Sequence, residues 1–378
     1  MRRTHLGAAL AVFLAMGGPA GASDGAPDPE PAGELSIAVL PLENLSGEAA
    51  PRSEILGSLR GRLEARRVPL LPAETLERFM RKHRMRYTGG LAREMGRALA
   101  EETGAGAVLV TSLDLYQEAD PPRMALTARL VSTGDDTRIL WMDSADRTGD
   151  EAPGLLGLGR IHDPREVLSD VTDRLAGSLS RHLSGAESCG GSEAGRDPGP
   201  RRFRPRSFFR IPGAVAAGTG PVRIAVLPFA NESTTKYAGD ILTLQMVRCL
   251  SCAGGVVVIE PGVVREALLR ARLIQEEGPS LPQADLLRLL LEADVVLFGE
   301  VADYVEPQWG GLEPELVFSA RAIDTARRQV IWSSSSRGRG HDRVVFFGLG
   351  SVPTAHGLAS RMARALAVAV LPSLEGAP

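Results

Sequence analysis

The sequence predicts an α/β fold: two tandem copies of a mixed-sheet domain with flanking helices, each in the order β-α-β-α-α-β-β-β-α. Three observations carry this expectation. Short, uniformly apolar runs end at proline, as strands buried on both faces do. Segments of helical period separate these runs. The landmarks of the first half return in the same order in the second, and such self-similarity is read before any local assignment.

The opening strand is Ile37 to Leu40 in the first copy and Ile224 to Leu227 in the second. It sits within Ser36-Ile37-Ala38-Val39-Leu40-Pro41-Leu42-Glu43-Asn44, which recurs as Arg223-Ile224-Ala225-Val226-Leu227-Pro228-Phe229-Ala230-Asn231. An amphipathic helix follows, with Ile55, Leu56, Leu59 and Leu63 on one face and Ile241, Leu242 and Leu244 answering them. A second strand is expected at Val68 to Leu71 and at Val256 to Ile259, stopped by Pro72 and Pro261. Proline lacks the N–H that would continue a ladder. Helices are expected over 74–86 and 91–102, and over 262–276 and 282–292, with Pro282 in a helix-opening position.

The third strand runs from Ala105 to Tyr116 and recurs without a gap from Ala293 to Tyr304. A hairpin then spans 124–143 and 315–336. In its first strand Leu126, Ala128 and Leu130 alternate with Thr127 and Arg129, which predicts a half-exposed sheet. The closing helix repeats as well, with Val171, Leu175, Leu179 and Leu183 of the first copy answered by Leu358, Met362, Leu366 and Val370 in the second. The copies span about 35–184 and 221–373, joined by a Gly/Pro/Arg-rich linker over 185–220.

The first 22 residues read as a secretory signal peptide. Arg2 and Arg3 precede an 11-residue apolar core, Leu6 to Met16, and small residues lead to Ser23. Residues 23–34 are expected to be disordered. The chain of 378 residues carries 43 basic and 46 acidic side chains, a net charge of −3. Loss of Arg2 and Arg3 with the signal would leave 41 against 46, or −5. That balance gives no basis for nucleic-acid binding, which needs a positive excess along the backbone track.

No cysteine lies near the cleavage point, so no site for lipid attachment is seen there, and no other run has the ~18 apolar residues of a membrane span. The expected location is the periplasm, or association with the outer membrane.

Chemistry-bearing motifs are few. Cys249-Leu250-Ser251-Cys252 has redox-motif spacing, but falls near a helix C-terminus, where the helix dipole disfavours a thiolate. A structural disulfide between Cys249 and Cys252, or two packed thiols, is the favoured reading, with Cys189 left unpaired. The six histidines include no pair at metal-ligand spacing, so neither a metal nor any other cofactor is expected.

Gly157-Leu158-Gly159 and Gly348-Leu349-Gly350 precede the closing helices and are read as connections, with anion binding as the lesser alternative. Glu300 stands where the first copy has Ser112, and is read as a strand-end polar residue; Ser333 to Ser336 is read as an exposed sheet edge. The linker is the best surface-binding candidate. Arg201, Arg202, Phe203, Arg204, Arg206, Phe208, Phe209 and Arg210 put five arginines and three phenylalanines in ten residues with no acid. Guanidinium groups suit phosphate or carboxylate, so anionic lipid or cell-wall polymer would fit; the alternative is a solvated spacer whose phenylalanines tuck against a domain.

The Ile-Ala-Val-Leu-Pro opening with its following Asn, the Ala293–Val301 strand and the hairpin from Ala320 to Trp332 together resemble one superfamily. It comprises the TolB amino-terminal domain, the curli-secretion protein CsgG and the penicillin-binding-protein activator LpoB. The resemblance implies a non-enzymatic bacterial envelope protein that binds partners or assembles, and it supplies no catalytic residues. The chain lacks long alternating hairpins that could line a membrane barrel.

The expected function is therefore a binding or assembly module supporting secretion or cell-wall and outer-membrane processes. Its expected partners are envelope proteins or cell-wall polymer, with peripheral membrane contact through the linker and homo-oligomer formation as further options. A periplasmic redox protein using Cys249 and Cys252, or a small-ligand-sensing module, are the alternatives.

Overall fold

The computed structural model describes residues 35–151, 159–186, 203, 205–213, 215, 220–273, 278–307, 313–342 and 351–374. The signal peptide, residues 23–34, Cys189, Arg201, Arg202, Arg204 and most of both Gly-Leu-Gly segments lie outside the described residues.

The N-terminal half runs β1 (Ile37–Val39), β2 (Glu43–Asn44), α1 (Arg52–Ala65), α2 (Ala73–Lys82), α3 (Arg93–Thr103), β3 (Ala107–Gln117), β4 (Arg123–Ser132), β5 (Ile139–Thr148) and α4 (Pro164–Leu183). The C-terminal half runs β6 (Arg206–Arg210), β7 (Val222–Val226), β8 (Ala230–Asn231), α5 (Ala238–Ser251), β9 (Val256–Val258), α6 (Pro261–Ala271), α7 (Leu281–Leu291), β10 (Val295–Val305), β11 (Glu315–Asp324), β12 (Gln329–Arg339) and α8 (Ala355–Leu374).

The fold is mixed α/β, as expected. One sheet has the order β1-β3-β4-β5, with β2 also on β3; the other has the order β6-β12-β11-β10-β7-β9, with β8 also on β10. In both, a short parallel strand (β1 or β7) flanks a long strand that continues into two antiparallel neighbours. The irregularities correspond too. The register shifts between Leu113 and Leu115 in β3 and between Val301 and Asp303 in β10, and again between Leu130 and Val131 and between Ala322 and Ile323. Bulges bend and twist a strand locally, so the two sheets curve alike.

The predicted second strand differs between the halves. In the C-terminal half it is β9, whereas in the N-terminal half it shrinks to a bridge between Ile37 and Leu70. Pro69 explains the difference, because it has no N–H to donate and only its carbonyl accepts, from Ile37 N at 2.8 Å. The helix predicted over 74–86 stops at Lys82, with Arg84 in the left-handed region at φ 50°.

Each sheet is covered on one face by a long helix pair and on part of the other by a shorter pair. Ile55, Leu59 and Leu63 of α1 pack with Val171 and Leu175 of α4 against Ile37, Leu109 and Leu126. Each such fully buried side chain contributes about 1.5–3 kcal/mol. On the opposite face Leu76, Phe79 and Leu99 of α2 and α3 cover Ala38, Val108 and Val131. The C-terminal half repeats this with α5 and α8 on one face and α6 and α7 on the other.

The two long helix pairs differ in how much of their surface is covered. Helix α1 keeps an exposed polar face, but α5 is buried on nearly every side. Helix α8 is likewise apolar enough to match a membrane span in length and composition, yet it is mostly buried. Apolarity all round a helix is the signature of cover on all sides, and here the extra cover is the first sheet.

Candidate interaction surface

Thr127 and Arg129 of β4 were expected at a half-exposed sheet face; they are 1% and 2% exposed. The reason is that α5, α8 and the start of α6 lie across the outer face of β3, β4 and β5. Gln245 of α5 donates to Thr127 Oγ1 at 3.2 Å and to Ser144 Oγ at 3.3 Å. His356 of α8 places Nε2 3.2 Å from Ser144 Oγ and 3.2 Å from Asp114 Oδ2. Asp114 also accepts from Ser112 at 2.6 Å and from Thr127. Met142 of β5 joins the α5–α8 core.

At the edge of this seam, Arg129 reaches Glu260, the N-cap of α6, with Nη2 at 2.9 Å and Nε at 3.1 Å. Glu260 in turn accepts from Val263 N at 3.1 Å and from Gly262 N, as an N-cap carboxylate should. The Arg129 guanidinium also donates to the Gly89 carbonyl, so its charge is used on two sides. Burial pushes the Glu260 carboxyl up from its ordinary range, against the opposing pull of Arg129.

Backbones meet closely here: a Cβ at Gly90 would stand 2.6 Å from Gly262 Cα, and one at Gly262 only 2.3 Å from Leu91 N. Two further carboxyls are desolvated at the seam. Burial raises Glu43 to about 7, partly offset by Arg129, and raises Glu306 to about 7, where Ala355 N donates to it at 2.7 Å and Arg123 stands 3.5 Å away. The exposed Arg265 guanidinium lies over the Tyr87 ring at 4.0 Å, a cation–π contact.

Among the described residues, the equivalent face of the second sheet has no such cover. Strand pairing and the shared bulges align Ser112, Thr127, Arg129 and Ser144 with Glu300, Ser319, Arg321 and Ser335. Glu300 and Arg321 are exposed, and Ser319 and Ser335 are partly so. The result is an open sheet face carrying one acid, one guanidinium and a row of hydroxyls.

The cationic segment lands at the border of this face. Phe203 packs on the α5–α8 core. Arg206, Phe208, Phe209 and Arg210 lie in β6, which pairs antiparallel with β12 and leaves every one of its residues exposed. Phe208 and Phe209 are 66% and 44% exposed, with the Arg206 guanidinium 5.8 Å from the Phe208 ring centre. Part of the predicted linker is therefore an edge strand and not a spacer. The alternation of Ser207 and Phe209 with the hydroxyls of β12 suits pairing, which the composition of the segment conceals. For the same reason Ser333 to Ser336 is not a sheet edge: β6 covers it, and Ser334 and Ser336 point into the core at 3% and 7% exposure.

The predicted Cys249–Cys252 disulfide does not form. Cys249 keeps its thiol, with Sγ 4.0 Å from the Ser360 carbonyl of α8, whereas Cys252 is the exposed C-cap of α5 and is disulfide-bonded. One side chain turns into the helix interface and the other away from it. Glu300 lies within β10 on the open face, not at the strand end.

Sequence reading missed Arg129, Glu260, Asp114, Gln245 and His356 as a group. The available signal was charge inside otherwise apolar elements: Asp114 in β3 and Glu260 between a strand and Pro261. What was not legible was that their partners come from the other half of the chain.

No protein-family model matches the chain, and no curated protein matches it. Among solved structures, it is similar to the PelC dodecamer from Paraburkholderia phytofirmans at 19% identity and a TM-score of 0.31, over 46% of this chain and 98% of that one. Lipoprotein GNA1162 from Neisseria meningitidis is similar at 23% identity and a TM-score of 0.28, over 34% and 89%. The LpoB C-terminal domain from Salmonella enterica is similar at 14% identity and a TM-score of 0.26, over 32% and 87%.

Proposed function

We propose that this chain is an exported, non-enzymatic binding or assembly module of a bacterial envelope, and that it engages its partner through the outer face of β10, β11 and β12. The observation that carries the reading is the contrast between equivalent positions. Arg129 and Ser144 are sealed by other elements of the chain, whereas Arg321 and Ser335 face outward with the same architecture beneath them. The apolar run after Arg2 and Arg3 supports export. The exposed arginines and phenylalanines of β6 enlarge the face with residue types enriched at protein interfaces.

A photo-crosslinking residue at Ser335, with one at Glu101 on α3 as a control, tests this in the source cell. The reading expects the chain in the envelope fraction and crosslinks from position 335 but not from position 101. A chain confined to the cytosol, or equal crosslinking from both positions, would overturn it.

A further inference from the structure

The first sheet and the α5–α8 layer form a docked pair, and among the described residues that pairing leaves two faces over. One is the open face of the second sheet. The other is the outer face of α1 and α4, which corresponds to the α5–α8 face that the first sheet covers. We propose that these two leftover faces bind each other between molecules: β10, β11 and β12 of one chain seat on α1 and α4 of a second copy, head to tail. This rests on the reading that the open face is a binding surface, and it names the occupant.

Such a contact would continue the interface already inside the chain. There, Gln245 and His356 meet Thr127, Ser144 and Asp114 across two layers. The helix pairs align through the apolar positions they share, Ile55 and Leu59 with Leu242 and Met246, and Val171 and Leu175 with Leu358 and Met362. That alignment puts Ser58 and Ser169 where Gln245 and His356 stand.

Beside them on α1, Gly57 and Gly61 lie on the exposed face, and a Cβ at either would meet nothing within 4 Å. Glycine inside a helix is less favourable than alanine, and no contact among the described residues requires it here. A second backbone approaching that face would.

Charge agrees with the same placement. Arg62 and Arg66 share the single carboxylate of Asp173, at 2.7 and 2.9 Å, which leaves this face a positive charge in excess. Arg62 also donates to Ser169, the position equivalent to His356, at 2.6 Å. Within the chain, Ser112 lies beside the Asp114–His356 contact, so its counterpart Glu300 would arrive beside Arg62 of the next molecule. Arg321, the counterpart of Arg129, would arrive near the first turn of α2, where Glu74 is exposed. Neither Glu300 nor Arg321 forms an ion pair with another described residue. Strand β6 pairs along the edge of β12 and leaves the sheet face clear. The contact joins two different surfaces, so it propagates into a ring or an open filament and does not stop at a symmetric dimer.

Sedimentation velocity of the purified chain tests this with two blocked variants, Ser319→Arg with Ser335→Arg, and Gly57→Arg with Gly61→Arg. All four positions are solvent-accessible, and circular dichroism melts are used to check that both variants fold. The wild-type chain is expected to form concentration-dependent species larger than a monomer. Each variant alone is expected to self-associate at least tenfold more weakly, and an equimolar mixture to form a dimer and nothing larger, because one intact face of each kind remains.

A wild-type chain that stays monomeric, variants that assemble normally, or a mixture that stays monomeric would each overturn head-to-tail docking. If the wild-type chain is monomeric while crosslinks from position 335 reach a different envelope protein, this proposal falls and the binding-surface reading stands. If those crosslinks also vanish, both fall.

Discussion

Arg129 of β4 and Glu260 at the start of α6, 131 residues apart in sequence, form an ion pair whose side chains are 3% and 0% exposed. A buried pair is weak evidence for net stabilisation, yet losing one partner strands a charge, which costs about 3–5 kcal/mol. Glu260→Ala should therefore lower the free energy of unfolding by about that much, with some of the loss from the missing N-cap. The double variant Arg129→Leu with Glu260→Leu should lose less than the sum of the two single variants. Urea unfolding of the four proteins checks this; additive losses would show that the pair is not coupled.

Stability should fall as pH rises from about 4.5 to about 7. Glu43 and Glu306 are raised to about 7 by burial, so the folded chain holds their protons more tightly than the unfolded chain, whose carboxyls titrate in the ordinary range. Protons bound preferentially by the folded state make the slope negative, at up to about 1.4 kcal/mol per pH unit for each group, and it flattens above pH 7. Glu260 and Asp240, also raised by burial, act in the same direction. Asp173 and Glu313 are lowered and act oppositely, only below the ordinary carboxyl range. Melting temperature against pH should show this slope, and Glu306→Gln should reduce it.

Glycine substitutions separate the closed seam from the open helix face. Gly262→Ala would put a Cβ 2.3 Å from Leu91 N, a backbone clash with no flexible group to yield, and should destabilise the chain by several kcal/mol. Gly61→Ala meets nothing within 4 Å and should stabilise the isolated chain by about 0.5–1 kcal/mol. Thermal melts at low protein concentration give both signs.

Alkylation should distinguish the two cysteines of α5. Without reductant, iodoacetamide should modify Cys249 once the chain is unfolded, while Cys252 should become reactive only after reduction. Peptide mapping that found both thiols free, or both blocked, would contradict these assignments.

The fold was legible from local residues because Ile37, Val39 and Leu109 are buried by neighbours in their own half, and the pattern reports that burial. Alternation around Thr127 and Arg129 predicts a half-exposed face, yet both are buried, and it is the equivalent Ser319 and Arg321 that remain accessible. A strand's polar face looks the same in sequence whether water or another half of the chain lies over it. The β6 strand was hidden for a related reason: its pairing depends on the β12 edge, and an arginine-rich composition carries no trace of that partner.

The most direct measurement of the central contrast is thiol labelling at two equivalent positions. In a Cys249→Ser background, Thr127→Cys and Ser319→Cys are each treated with a maleimide in dilute solution. Rapid labelling is expected at position 319, and labelling at position 127 only when the chain unfolds. Equal rates at the two positions, or a protected position 319 in the dilute monomer, would contradict that contrast.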